Sequence, residues 1–521
     1  MAKPPSLLPS ILFTCAALSA CGGGGGGSPA ASTPPPVVTP PVNDGSLQDA
    51  NRYSSAAGAA LASPNEQAAI VNGQLAMAGK VLSYKATTGH LSATDARTGR
   101  GVSFFYVAYT LAGQDVAKRP VTFFYNGGPG SSTLWLHLGS FGPKRLVTNI
   151  PATAMPSPPQ LVDNEDSLLD LSDLVFVDAV GTGFSQAIAP GVNRDFWGVD
   201  SDAGAFRDFV QRYVAVNARQ PSPKFLFGES YGAPRTGVLA NLLEVAGVKV
   251  DGVILQSSIM DYNSNCGVIG TDVLSCEGYF PSYATTSAYL KLTTPAHDDL
   301  PAYAQAMRGF SATSYRGAMA PWLASRTPPS TDLLALLSGY TGMPAAAWQL
   351  NFNMGPGLYQ HRVLPGQVTG RYDARVTAAV GSALAADDDP SLTAINASFV
   401  NTIASYISGT LKYSAGTSYA AFADIIDSWD FRHDARQVPD TIPDLAGALL
   451  HNPAMKVLAM SGFHDLATPF YQTELDLARL GSANVTIRNY SSGHMTYLDN
   501  SARRQQRADL GAFYQSVTGT P

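Results

Sequence analysis

The clearest hydrophobic patterning begins near residue 81. VLSYKATTGHLSA and GVSFFYVAYTL read as two strands joined by a turn around ATDARTGR, an antiparallel opening to a sheet. Four shorter apolar runs follow, VTFFYN, DLVFVDAV, KFLFGES and VDGVILQSS, rich in β-branched and aromatic residues and bounded by Gly, Asn, Pro or Asp. Runs of that kind read as strands buried on both faces of a parallel sheet. Between them lie helical patterns, from Asp200 to about Asn217 and from Pro234 to about Ala246. Alternating strand and helix implies an α/β, mostly parallel, doubly wound sheet. From about Met260 to about Asp440 the strand rhythm gives way to segments rich in Tyr, Ala and Ser, with Trp322, Trp348 and Trp429 among them. That stretch is expected to be a cap inserted into the sheet domain. Strand signals return in KVLAMSGFHD and NVTIRNYSS, and a terminal helix is expected over SARRQQRADLGAFYQSV. The expected organisation is a first core part over 51–260, a cap over 261–440 and a last core part over 441–521.

The amino terminus carries a different signal. Lys3 precedes the short apolar stretch LLPSILFTCAALSA, too short to span a bilayer as a helix, which ends at Cys21. Leu18, Ser19, Ala20 and Cys21 resemble the lipobox of bacterial lipoproteins, which implies a signal peptide over 1–21, lipidation of Cys21 and a lipid-anchored location in the bacterial cell envelope, periplasm or outer membrane. The Gly- and Pro-rich run after it, within 22–50, has the composition of a tether. Charged residues make up 14% of the 521-residue chain, against roughly 25% in an average soluble protein, a mild sign of export. The net charge of -6 comes without a long basic run, which disfavours a nucleic-acid partner. Outside the targeting segment the cysteines are Cys266 and Cys276. In an exported protein they are expected to form a disulfide.

Candidate chemistry centres on Gly228, Glu229, Ser230, Tyr231 and Gly232, a G-x-S-x-G between the strand KFLF and a helix beginning near Pro234. A strand, a sharp turn and a helix are what a nucleophile elbow needs, because the turn lifts the Ser hydroxyl above the sheet. Taken alone the string is weak, and its context makes Ser230 the expected nucleophile of a serine hydrolase with the α/β-hydrolase fold. In that fold an acid and then a base follow the nucleophile along the chain. Asp465 after KVLAMSGFH and His494 after NVTIRNYSSG stand in that order. The plain alternatives are a helix cap for Asp465 and a surface-loop histidine for His494. His464 precedes the acid and is read as a structural or pocket residue. Two backbone N–H groups are needed to hold an oxyanion. The expected donors are Tyr231, just after the nucleophile, and Gly128 in the loop Asn126, Gly127, Gly128, Pro129, Gly130, Ser131, Ser132. That loop lacks the G-K-[ST] ending of a phosphate loop. No H-E-x-x-H and no Cys-His cluster with ligand spacing occurs, so neither a metal nor a cofactor is expected.

NGGPGSS from Asn126, VGTGFS from Val180, FWGVD from Phe196, GESYG from Gly228, SGFHD ending at Asp465 and SGHM containing His494 lie in order along the chain. In these motifs the sequence resembles the serine carboxypeptidases. The resemblance implies a triad of Ser230, Asp465 and His494, an oxyanion hole from Gly128 and Tyr231, and binding of a peptide's free C-terminal carboxylate by Asn126 and Glu229. A Glu shares a proton with a carboxylate only while protonated, which favours acidic pH. Ser140 stands where the family commonly has a second Glu, so the two-carboxyl clamp is incomplete. Tyr125 replaces a usual Trp, Ser131 a Cys, Phe463 a frequent Asp, and Tyr497 the Pro usual after the His-Met pair. An esterase or acyltransferase using the same triad, and a surface-anchored binding lipoprotein without catalysis, are the competing readings.

Overall fold

The computed structural model describes residues 45–95 and 98–519, so the signal stretch, Cys21 and the tether up to residue 44 lie outside the described residues. Ten strands form one sheet. In chain order they are β1 (Ala68–Met77), β2 (Lys80–Thr94), β3 (Gly101–Leu111), β4 (Val121–Tyr125), β5 (Asp173–Val177), β6 (Gln186–Ile188), β7 (Lys224–Glu229), β8 (Gly252–Gln256), β9 (Lys456–Gly462) and β10 (Val485–Tyr490). The order across the sheet is β10-β9-β8-β7-β4-β5-β3-β2-β1, with β6 paired to β3. From β5 to β10 all neighbours are parallel, while β1, β2 and β3 join antiparallel.

Why the central runs are continuous in apolar residues is plain from the packing. Successive side chains of a strand point to opposite faces. In β4, Phe123 and Tyr125 face one layer, where α2 (Val199–Val216) and α3 (Gly232–Val245) supply Phe206, Phe209 and Leu239. Phe124 faces the other layer, stacked between Phe176 and Phe227 at ring-centroid distances of 4.7 and 4.8 Å. That layer is closed by α1 (Leu134–Gly139) and by the terminal helix, Asn500–Thr518. Both layers are filled, so both faces of each strand must be apolar. The expected helices near 200–217 and 234–246 start one and two residues earlier than the pattern suggested. The strand β1 was not read from the sequence.

Between β8 and β9 the chain is mostly helical. Its first part forms a cluster of its own around Phe280, Tyr283, Tyr315, Trp348 and Tyr359, and the Cys266–Cys276 disulfide, with Cα atoms 5.3 Å apart, lies within it. Its second part packs against the sheet layer instead, through Phe399, Ile403, Tyr406 and Tyr413. Among the described residues no helix is long and apolar enough to cross a membrane.

Candidate active site

Ser230 follows β7 directly and takes the left-handed conformation, φ +58°. A non-glycine residue held there is strained by roughly 1–3 kcal/mol, a cost that the surrounding turn must meet. The flanking glycines make the turn feasible. A β-carbon on Gly228 would collide with Gly232 O and Thr236 Oγ1, and one on Gly232 would stand 2.9 Å from Tyr125 O. Backbone hydrogen bonding fixes the turn further, with Ser230 N–H donating to Gln256 O at 2.9 Å. Ser230 is left partly exposed while Glu229 and Tyr231 on either side are buried.

The loop after β4 presses on this elbow. A β-carbon on Gly127 would collide with Tyr231 N, so the two candidate oxyanion donors sit on adjoining backbone. Gly128 has φ +107° and Gly130 φ +105°, conformations that favour glycine. Among the described residues neither the Gly128 nor the Tyr231 N–H donates to a protein acceptor. At the start of α3 such a free N–H is also favoured by the helix dipole as an anion donor. The loop is braced from outside by residues 420–423: Ser132 N–H donates to Ala421 O at 3.0 Å and Ala423 N–H to Gly130 O at 2.8 Å.

Asp465 and His494 meet. The turn after β9 carries Asp465 and the loop after β10 carries His494, and His494 Nδ1 lies 2.8 Å from Asp465 Oδ2. Both are buried. Asp465 also accepts from Ala467 N at 2.7 Å, Thr468 N at 3.0 Å and Thr468 Oγ1 at 2.8 Å. Asp465 thus ties down the turn at Ala467 and Thr468 and holds the imidazole at the same time; it does not cap the next helix, which begins at Phe470 after Pro469. His494 O accepts from Gln256 Nε2 at 3.1 Å and Ser257 Oγ at 2.5 Å, and its N–H donates to Tyr372 O at 2.6 Å. Burial pushes the imidazolium pKa down, and the charge and hydrogen bond of Asp465, helped by Glu229, more than offset it, so His494 titrates above its ordinary value. Among the described residues no hydrogen bond joins the Ser230 hydroxyl to His494 Nε2, so of the three expected triad residues the structure joins Asp465 to His494 and does not join the nucleophile to the base.

Glu229 is buried beside them. Burial lifts its carboxyl up to about 7, against the His494 charge and hydrogen bonds from Tyr497 and Asn126, which pull it down. Asn126 Oδ1 accepts from Leu136 N at 3.1 Å, which fixes the amide so that its NH2 side lies near Glu229 and Tyr497.

The comparisons with known proteins agree with this arrangement over part of the chain. Residues 77–245 match the serine carboxypeptidase family. This part of the chain is similar to serine carboxypeptidases. Among curated relatives, a pheromone-processing carboxypeptidase KEX1 of Cryptococcus gattii is 27% identical over 32% of this chain and 24% of its own length. That of Komagataella phaffii is 33% identical over 24% of this chain and 18% of its own length. The chain thus spans less than two thirds of these relatives. A crystal structure of the proline iminopeptidase of Mycobacterium smegmatis, 14% identical, superposes with a TM-score of 0.35 over 82% of this chain and 99% of that one, too distant to carry an argument. The α/β-hydrolase fold rests instead on the strand order and the elbow described above.

His464 is buried and neutral, its pKa held well below the ordinary value by burial and by Arg375, as its structural reading requires. Thr468, Gln256 and Ser257, which hold Asp465 and His494 in place, were not anticipated. A Thr three residues after a candidate acid is the one signal the sequence offered for them. Tyr497 was noted as a departure from the family pattern, but its contact with Glu229 was not foreseen.

Proposed function

We propose that this chain is a serine carboxypeptidase that removes residues from the free C-terminus of peptides. In this reading Ser230 Oγ attacks the scissile carbonyl while His494 Nε2 takes its proton, and Asp465 holds the imidazole and favours the imidazolium that forms. The oxyanion is received by the Gly128 and Tyr231 N–H groups. His494 returns the proton to the leaving amine, and water, activated by the same imidazole, then releases the acyl group from Ser230. No cofactor enters the reaction.

What separates this from other acyl transfers is the leaving group's carboxylate. The observation that carries the reading is the buried Glu229, next to Ser230 and hydrogen-bonded to Tyr497, with its carboxyl lifted to about 7. A neutral carboxyl donates to a carboxylate, and an ionised one repels it. The expected result is stepwise loss of single C-terminal residues from a blocked peptide, seen by mass spectrometry and blocked by C-terminal amidation. Cleavage of the amidated peptide at the same rate rules out the exopeptidase activity. Ser230 should label with a fluorophosphonate, and Ser230→Ala should not.

An esterase or acyltransferase is the second reading. It is favoured by Ser140, whose hydroxyl donates to Leu136 O and so offers no second acid. Turnover of small esters far above that of peptides would support it. We further propose, from the lipobox-like sequence ending at Cys21, that the enzyme is lipid-anchored in the bacterial envelope. Metabolic labelling with a fatty-acid analogue, lost in Cys21→Ser, is the test.

A further inference from the structure

Ser140 leaves the carboxylate site one carboxyl short, and another side chain stands beside it. Ser140 ends α1 fully buried, and its hydroxyl donates to Leu136 O at 2.5 Å, within its own helix. On the adjoining residue, a β-carbon at Gly139 would stand only 2.8 Å from Tyr497 Cε2, so the Tyr497 ring lies directly against this end of α1. The ring is fully buried, and its hydroxyl donates to Glu229 Oε2 at 2.6 Å. The same helix, through Leu136 N–H, sets the orientation of Asn126. Glu229 and Tyr497 therefore form a buried hydrogen-bonded pair next to Ser230, with Asn126 and α1 as its wall.

We propose that Tyr497 takes the place of the absent second carboxyl as the residue that orients Glu229 toward a peptide's terminal carboxylate. The inference rests on the carboxypeptidase reading. Its physical basis is the donor inventory of the group. A tyrosine hydroxyl has one proton to give, and here it gives it to Oε2. A neutral Glu229 then carries its own proton on Oε1, the oxygen Tyr497 does not occupy, and that is the proton available to a substrate carboxylate. A second carboxyl could exchange a proton with Glu229 and leave its position undefined. Tyr497 cannot, because burial and the Glu229 charge hold its own ionisation well above the ordinary value.

The phenol differs from a carboxyl in a second way. Its hydrogen bond favours the ionised form of Glu229, whereas a neighbouring carboxylate would oppose it. The groups that bear on Glu229 are His494, Tyr497 and Asn126, which favour its charge, and Asp465, which opposes it; Tyr372 also faces it. Removal of the hydroxyl should therefore raise the pH at which Glu229 loses its proton and also release its orientation. Tyr497 acts in this way as a positioning residue.

The test compares Tyr497→Phe, Glu229→Ala and the double variant with the unaltered protein, on blocked peptides that differ only in a free or amidated C-terminus, with kcat and KM followed from pH 5 to 9. For the free-acid peptide, Tyr497→Phe is expected to raise KM roughly tenfold, the loss of one hydrogen bond to a buried acid. It should also move the alkaline limb to higher pH, while the amide peptide loses several-fold less. In the Glu229→Ala background, which has no carboxyl left to orient, the same substitution should add less than a further twofold. Equal losses on both peptides, an unmoved alkaline limb, or the full loss repeated in the Glu229→Ala background would overturn the inference. Should the unaltered protein itself cleave both peptides equally, the carboxypeptidase reading falls first and the inference with it.

Discussion

Asp465 and Glu229 are both buried carboxyls that act on His494, and they differ in how many donors reach them. Asp465 accepts from two backbone N–H groups, the Thr468 hydroxyl and the imidazole. Among the described residues the Glu229 carboxyl accepts one hydrogen bond, from the Tyr497 hydroxyl, with the Asn126 amide nearby. Burial disfavours a carboxylate, and hydrogen bonds from fixed donors restore it. The better-supplied group holds the imidazole at 2.8 Å, and burial lifts the carboxyl of the poorer one up to about 7. Two acids of one site thereby receive opposite tasks from their surroundings alone. In the proposed reaction one orients the base and the other meets the substrate's charge.

The largest break in that comparison comes from Asp465→Asn. The amide keeps an acceptor for the turn but removes the charge that holds the imidazole, and kcat is expected to fall about 10⁴-fold on free and amidated peptides alike. Steady-state kinetics on an active ester check it, and a loss below tenfold would mean that Asp465 only caps the turn. Glu229→Gln comes next. A glutamine is neutral at every pH and keeps a donor, so below pH 7 the variant should lose up to roughly tenfold in kcat/KM on free-acid peptides. At pH 8 to 9 it should overtake the unaltered enzyme, because Glu229 has ionised there and glutamine has not. The kcat/KM profiles of the two enzymes would cross. The smallest effect belongs to Thr468→Val, which removes a hydroxyl 2.8 Å from Asp465 Oδ2 and 3.0 Å from His494 Nδ1. One hydrogen bond of about 1 kcal/mol predicts a loss of roughly fivefold in kcat, with the preference for a free C-terminus unchanged.

The strands were legible where both faces are buried. VTFFY, DLVFV and KFLFGE admit few polar residues because a filled layer lies on either side, and an uninterrupted apolar run is easily seen. Strand β1 was not, since it lies at the sheet edge, alternates between buried and accessible positions, and is interrupted by Gly73, where the Tyr84 ring lies against the backbone. The region between β8 and β9 gave no clear period for a related reason. Its first cluster is held by ring contacts such as Tyr283 with Tyr359 at 4.3 Å and Phe280 with Tyr315 at 5.1 Å, which link short helices rather than long amphipathic faces. That its second half, through Phe399 and Tyr413, packs on the sheet layer was not visible at all.

In the candidate site, the elbow at Ser230 and the meeting of Asp465 with His494 were legible because chain order and strand ends constrain them. The Glu229 partner was not. Ser140 and Tyr497 each stood out as an isolated departure, and only the fold brings the end of α1 against the loop after His494. A pairing of residues 268 positions apart leaves no local pattern, so the contact of Tyr497 with Glu229 has to be seen in three dimensions.

The most direct test is the pH dependence of one ratio, kcat/KM for a blocked peptide with a free C-terminus over that for its amide. A neutral Glu229 that recognises a carboxylate predicts a large ratio in the acid range that falls as pH rises through about 7, with the amide peptide lacking the alkaline limb. The same ratio at every pH from 5 to 9, whatever its size, would contradict the account.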